Sequence, residues 1–417
     1  MGNIKEVWFL TSELESERAS SFRQERWCCY FLKEGALLRI FNLRGIFSYS
    51  DIICVDKDSL ALFRKSGLAN YQGPQASVRE GIVAKILRRL KHLMLADLYL
   101  PNVFSLCIRL DKLLADRIEP VVIFASSPPF SLAVIGFLMK RRYKDKAIFI
   151  IDMRDAWALH NALGGIRWIK RGIERRVLQI ANQVITVSIG LADEFELHYG
   201  IKVEVAYNVA THYIENDFPE RIDLHKIHPE IDPNRIVIVY TGSVPEFHYD
   251  ITSMINAIRK FSIENKEISQ RIQLVFIGAC DIVKQEASAQ VIDQKSIIFV
   301  DHLPHHLIRS VQASASALLL LAHHGPKNRG VVSTKLFEYL CLSKPILPID
   351  LCQGSDVDIL LKKYCGSSLN IHKSEEIQKI LQRIAENGVS FLPKIVNVQD
   401  IGDLMDSYEI LTKRILQ

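Results

Sequence analysis

No GxGxxG follows the first apolar run of this chain, and no P-loop occurs anywhere in it. Thr11, Ser12, Glu13, Leu14 and Glu15 stand in the first turn instead, which excludes the usual NAD or FAD fingerprint and the P-loop nucleotidases. Cysteine is sparse and scattered: Cys28, Cys29, Cys54, Cys107, Cys280, Cys341, Cys352 and Cys365. Cys28 and Cys29 are adjacent, without a CxxC, so these residues read as small core hydrophobes of a reducing compartment, not as a disulfide frame. His302, His305 and His306 lack a second ligand pair and do not complete a zinc site. A net charge of +5 over 417 residues does not indicate a dedicated nucleic-acid binder. The N-terminus lacks the charged-then-apolar order of a signal peptide, and the Ser or Thr that myristoylation requires after Met-Gly is missing. One uncharged run, 121–139, approaches membrane-spanning length, but Ser126-Ser127-Pro128-Pro129 splits it into a strand and a helix. Together these absences lead us to expect a cytoplasmic protein without a resident cofactor.

What is present is the composition of a folded chain, 48% hydrophobic and 24% charged, long enough for two domains. Short β-branched runs alternate with amphipathic stretches, the mark of parallel α/β construction. A first series comprises 6–10, 37–42, 51–55, 120–125, 147–152, 183–187 and 203–207. A second comprises 235–240, 272–277, 297–300, 317–321 and 345–349. Between them lies a charged segment with Pro219, Pro229 and Pro233, which predicts a linker. The expected organisation is a first Rossmann-like domain over 1–213, a linker over 214–234, a second Rossmann-like domain over 235–398 and a final helix over 399–417.

In open α/β sheets, ligands sit beyond the carboxyl ends of the strands, where a helix N-terminus best meets a phosphate. Gly242 and Ser243 follow one such strand, the glycine permitting close backbone approach and the serine offering a donor. Gly278 follows the next. Ser333 and Thr334 are good N-cap residues, Lys335 lies in the first turn, and Glu338 follows on the same helical face. A diphosphate would meet amides, hydroxyls and a cation there, and Glu338 would accept from ribose hydroxyls. The same spacing also describes a capped helix with an i, i+3 ion pair. The preceding loop, 325–330, adds glycines and cations. In the first half, Asp152, Arg154, Asp155 and Trp157 end one strand and Ser126 and Ser127 end another, offering a phosphate or hydroxyl contact and an aromatic face.

In their order, these motifs resemble the GT-B glycosyltransferases of the retaining family 4, in particular bacterial enzymes of surface-polysaccharide assembly. The resemblance spans most of the chain. It rests on Ser126-Ser127-Pro128-Pro129, on Asp152-Met153-Arg154-Asp155-Ala156-Trp157, on Ala181 through Leu191, on Tyr207-Asn208-Val209, on Tyr240-Thr241-Gly242, and on Thr334-Lys335-Leu336-Phe337-Glu338-Tyr339 with Lys344-Pro345. It implies an α/β fold of two Rossmann-like domains facing a central cleft, with the last helix crossing back to the first. It also implies retaining, metal-independent transfer from a nucleotide-diphosphate sugar, with UDP the favoured nucleotide, to a glycan or polyprenol-linked acceptor. Donor contacts fall to Gly242, Ser243, Thr334, Lys335 and Glu338, catalytic roles to Arg154, Asp155 and Lys335, and acceptor or cleft positions to Arg23, Ser126, Ser127 and Trp157.

The departures narrow this reading. The first-domain glycine-rich loop is replaced by 12–21, leaving Arg18, Arg23 or Arg26 as cleft cations. Gly330 stands where many members carry the first of two glutamates, and Val209 where glycine usually follows the asparagine. The triplets Asp56-Lys57-Asp58 and Asp356-Val357-Asp358 fall outside the motif set, and no metal site is expected. Over 81–94, Ile82, Ile86, Leu90 and Leu93 form one stripe opposite Lys85, Arg88, Lys91 and His92. That pattern fits either a core-packed helix with a solvated face or an interfacial one that would hold the protein on the inner face of the plasma membrane. A second basic stretch, 167–176, points the same way. Two other readings stay open: a sugar-nucleotide epimerase, and a non-catalytic subunit that binds a nucleotide sugar or a partner enzyme.

Overall fold

The structure, a computed structural model, describes residues 4, 6–12, 19–43, 52–54, 100–160, 165–209, 219–244, 249–290, 295–322, 330–395 and 401–417. The chain divides into two compact units, one formed by Met1–Asn208 with Leu404–Gln417 and the other by Val209–Asp403.

The first unit is built on seven strands: β1 (Glu6–Thr11), β2 (Leu37–Asn42), β3 (Ile52–Cys54), β4 (Val121–Ser127), β5 (Ala147–Met153), β6 (Gln183–Thr186) and β7 (Glu204–Val205). They lie in the order β3-β2-β1-β4-β5-β6-β7. All pairs are parallel except β2 with β3. That exception departs from the all-parallel expectation, and the reason is chain length: only residues 43–51 join the two strands, too few for a crossover helix. Alternation along β1 divides two cores. Trp8 and Leu10 pack with Phe130, Ile135 and Phe149 on one face. Val7 and Phe9 pack with Trp27, Phe31, Tyr408 and Leu411 on the other. Both faces are covered, which is why these strands read as continuous apolar runs. The final helix, Gly402–Leu416, closes the second of those faces, and Ile4 N donates to Leu416 O at 2.9 Å. On the first face, helix Phe130–Tyr143 approaches the sheet so closely that a Cβ at Gly136 would lie 2.1 Å from the Phe149 ring.

The second unit carries β8 (Ile236–Thr241), β9 (Ile272–Ile277), β10 (Ile297–Val300), β11 (Ala317–Leu321) and β12 (Ile346–Ile349), all parallel, in the order β10-β9-β8-β11-β12. The order reverses between β8 and β11, which marks a topological switch point. Residues 219–234, read from the sequence as linker, are built into this unit: Ile222 N donates to Ser314 Oγ, and Gln273 bonds both Asp232 N and Glu230 O. The basic segment 81–94, the loop 325–329, and Asp56 and Asp58 lie outside the described residues.

Candidate functional site

At the switch point of the second unit, β8 ends in Thr241 and the chain turns at Gly242, whose φ is +112°. Any side chain is strained in that conformation. A Cβ there would also meet Lys335 Cε at 2.8 Å, because the lysine stem lies directly on the glycine backbone. Gly278, with φ +111°, is required for the same packing, since its Cβ would sit 2.8 Å from Gly242 O. Two glycines thus let one lysine settle over the carboxyl end of β8.

Helix Thr334–Cys341 brings that lysine. Ser333 is its N-cap: its hydroxyl accepts from Lys335 N at 3.4 Å and its carbonyl from Leu336 N at 3.1 Å, so the Thr334 amide heads the helix N-terminus. Leu336, Phe337, Tyr339 and Leu340 are buried, anchoring the helix so that Lys335 and Glu338 stand on its partly exposed side. The two do not simply pair with each other. The Lys335 ammonium lies 5.2 Å from the centre of the Tyr240 ring, and burial lowers its pKa against the opposing pull of the Glu338 carboxylate. Glu338 Oε2 accepts instead from Gln312 Nε2 at 3.2 Å, and the same amide donates to Thr241 Oγ1 at 2.8 Å. Gln312 therefore fixes the glutamate relative to the end of β8. No motif announces it, because a lone glutamine within His305–Ser314 looks like any polar helix residue. Ser243 is exposed at the turn, and its carbonyl accepts from Tyr240 OH at 2.8 Å. Thr334 and Gly330 are partly exposed nearby in sequence.

The arrangement offers, within one unit, a helix N-terminus, a desolvated ammonium and a positioned carboxylate. Such a set can compensate two phosphoryl charges and accept hydroxyl hydrogen bonds. The triplet at Asp356 and Asp358 has other work. Ser355 caps that helix, while Asp358 accepts from Gly354 N, Lys362 Nζ and Ser368 Oγ. Burial opposes its charge, yet these bonds hold its carboxyl below the usual range.

In the first unit, the loop after β5 is pinned from several sides. Arg154 Nη2 donates to Pro128 O at 2.5 Å and Arg154 N to Ser127 O at 2.9 Å, tying the ends of β4 and β5 together around the cis bonds Ser127-Pro128 and Pro128-Pro129. Asp155 is exposed beside it. Buried Glu174 accepts from Ala158 N at 3.2 Å and Tyr199 OH at 2.5 Å, and its desolvation raises its pKa despite those bonds.

Three expectations for this unit are corrected. Arg23 is not an available cation: it is fully buried, forks onto Asp152 through Nε and Nη2, and donates through Nη1 to Ala206 O and Tyr408 OH. Trp157 does not present an open face. It is 7% exposed, stacks on Phe130 with centroids 4.1 Å apart, and has the Lys170 ammonium 4.7 Å from its ring centre. Ser126 and Ser127 are buried, and Ser126 Oγ donates to Asp152 at 3.1 Å. Short-range pattern cannot separate a charged residue facing a ligand from one paired with a strand 129 positions away.

No family model matches the sequence, and no curated protein does. Solved structures do match over nearly the whole chain. Anabaena HepE in complex with UDP and glucose is 11% identical with a TM-score of 0.55, covering 99% of this chain and 96% of its own. Sucrose-phosphate synthase from Thermosynechococcus elongatus is 8% identical with a TM-score of 0.53, over 99% and 95%. UDP-GlcNAc 2-epimerase from Neisseria meningitidis, bound to UDP-GlcNAc, is 13% identical with a TM-score of 0.50, over 99% of both chains. At such identities the likeness establishes the fold alone, which is GT-B, an α/β fold of two Rossmann-like units whose final helix returns to the first.

Proposed function

We propose that the protein is a glycosyltransferase that binds a nucleotide-diphosphate sugar in its second unit, at the carboxyl end of β8. The observation that carries this reading is the seating of Lys335 on the Gly242 backbone, beside a Glu338 that Gln312 holds in place. Two positive-φ glycines, a desolvated cation and a buried glutamine have no shared structural purpose that an ordinary capped helix would require. In this reading the Thr334 amide at the helix N-terminus, with the Lys335 ammonium, takes the diphosphate. Glu338 accepts from the ribose, and Gly242 and Ser243 border the donor.

The chemical demand is charge development on the departing diphosphate. A helix N-terminus and a preorganised ammonium meet it electrostatically, which supports transfer without a required metal. The lowered pKa of Lys335 fits a cation that gains most when an anion arrives. UDP is the proposed nucleotide, in keeping with the UDP bound by HepE and the UDP-GlcNAc bound by the Neisseria epimerase. Retention of configuration, membership of family 4 and a place in surface-polysaccharide assembly rest on the sequence resemblance. Arg154 and Asp155 are assigned on the same ground to the catalytic surroundings of the sugar, Arg154 being positioned by the Ser127 and Pro128 carbonyls. The acceptor proposed is a glycan or a polyprenol-linked sugar at an anionic membrane surface. Helix Arg167–Ile180 favours such a surface, since Trp168 is 76% exposed on it among Arg167, Arg175 and Arg176, which are exposed as well.

Incubation with UDP-, GDP- and CMP-sugars, with nucleotide release followed over time, tests the proposal. Release or transfer with a UDP-sugar is expected. Interconversion of the sugar without release would identify an epimerase, and binding without turnover a non-catalytic subunit.

A further inference from the structure

Helix Ala19–Lys33 carries two buried arginines one turn apart in opposite circumstances. Arg23 is matched by Asp152. Arg26 is 1% exposed, and its Nε, Nη1 and Nη2 have no hydrogen-bond partner. Its guanidinium lies 4.9 Å from the centre of the Tyr408 ring, a favourable contact that leaves all five N–H donors unanswered. Among the described residues no carboxylate pairs with it. Glu409, one residue beyond Tyr408, is committed to Lys33 and Lys413. A guanidinium so placed is strongly disfavoured unless opposite charge reaches it.

The same ring gathers further donors. Trp27 stands 4.6 Å from Tyr408, and its Nε1 has no acceptor. Thr412, fully buried and one helical turn beyond Tyr408 on the same face, has a hydroxyl with no partner. Five guanidinium N–H groups, one indole N–H and one hydroxyl on two helices outnumber the roughly four lone-pair sites of a carboxylate. A tetrahedral oxyanion has oxygens to spare.

We propose that Arg26, with Trp27 Nε1 and Thr412 Oγ1, binds a phosphate-class oxyanion between helices Ala19–Lys33 and Gly402–Leu416 of the first unit. The site shares no residue with the nucleotide-sugar site and stands whether or not that assignment holds. Its occupant is inorganic phosphate or the phosphoryl group of a small organic molecule.

Thermal unfolding of the full chain, followed by tryptophan fluorescence, tests it, with inorganic phosphate, glycerol 3-phosphate and acetate each titrated at constant ionic strength. Wild type should gain roughly 5–10 °C in Tm with a phosphate-class ligand at a hundredfold excess over Kd. The stronger of the two phosphate ligands identifies the source. Arg26→Met should keep or raise the ligand-free Tm and lose the response, and Arg26→Lys, which retains charge without the fork, should respond more weakly. The proposal is overturned if wild type shows no response, if Arg26→Met responds equally, or if acetate matches phosphate. Should Arg26→Met fail to fold, the wild-type titration and Arg26→Lys still decide.

Discussion

Replacing Asp152 by alanine should destabilise the first unit by about 3–5 kcal/mol, the cost of stranding one member of a buried ion pair. Arg23 and Asp152 are both fully buried, joined by a fork with contacts of 2.5–3.1 Å, and Ser126 adds a third bond to the carboxylate. Without Asp152, the guanidinium keeps only Ala206 O and Tyr408 OH. Arg23→Met should cost at least as much, because it also releases the Ala206 carbonyl, worth about 1–3 kcal/mol when left buried and unpaired. The double variant Arg23→Met/Asp152→Leu removes both charges together with their desolvation, so it should cost less than either single change. Urea unfolding by tryptophan fluorescence measures this, since the four tryptophans, Trp8, Trp27, Trp157 and Trp168, all lie in the first unit and report its transition separately. An Asp152→Ala cost below about 1 kcal/mol, or a double variant as costly as the sum of the singles, would refute the reasoning.

Gly242→Ala should cost about 1–3 kcal/mol of stability through its positive φ and, by displacing Lys335, weaken UDP binding as well; calorimetry checks whether both effects appear. Burial, with repulsion from Arg221 and Lys394, brings the Lys344 pKa down to about 8, although its ammonium donates to Ala315 O at 2.8 Å. The unfolded chain therefore holds more protons than the native one between about pH 8 and 10.5, so this group makes stability rise with pH across that window. Lys344→Met should flatten the rise in a pH series of denaturant midpoints, and an unchanged slope contradicts the assignment.

Much of this was legible in the sequence because it is periodic. Each of the described strands coincides with an apolar run of the sequence, and most strand residues whose burial is described are buried. The direction of β3 was not evident from its own residues and followed from a connection too short to cross over. At the second-unit site, Lys335 and Glu338 stood out through their spacing on one helix. Gln312 did not, because what makes it important is a pair of contacts across the fold to Thr241 and Glu338. Arg23 and Arg26 look equivalent in sequence, yet one is paired with a distant strand and the other is not. Trp157 likewise ends a strand as a binding aromatic would, but Phe130 already occupies its face.

Equilibrium binding of UDP to wild type, Lys335→Ala and Glu338→Ala tests the central claim most directly. Loss of the ribose acceptor in Glu338→Ala should raise Kd roughly tenfold to a hundredfold. Lys335→Ala should chiefly slow turnover with a UDP-sugar, by about 10²-fold or more. Affinities indistinguishable from wild type in both variants, with turnover unchanged, would contradict a nucleotide-sugar site at the carboxyl end of β8.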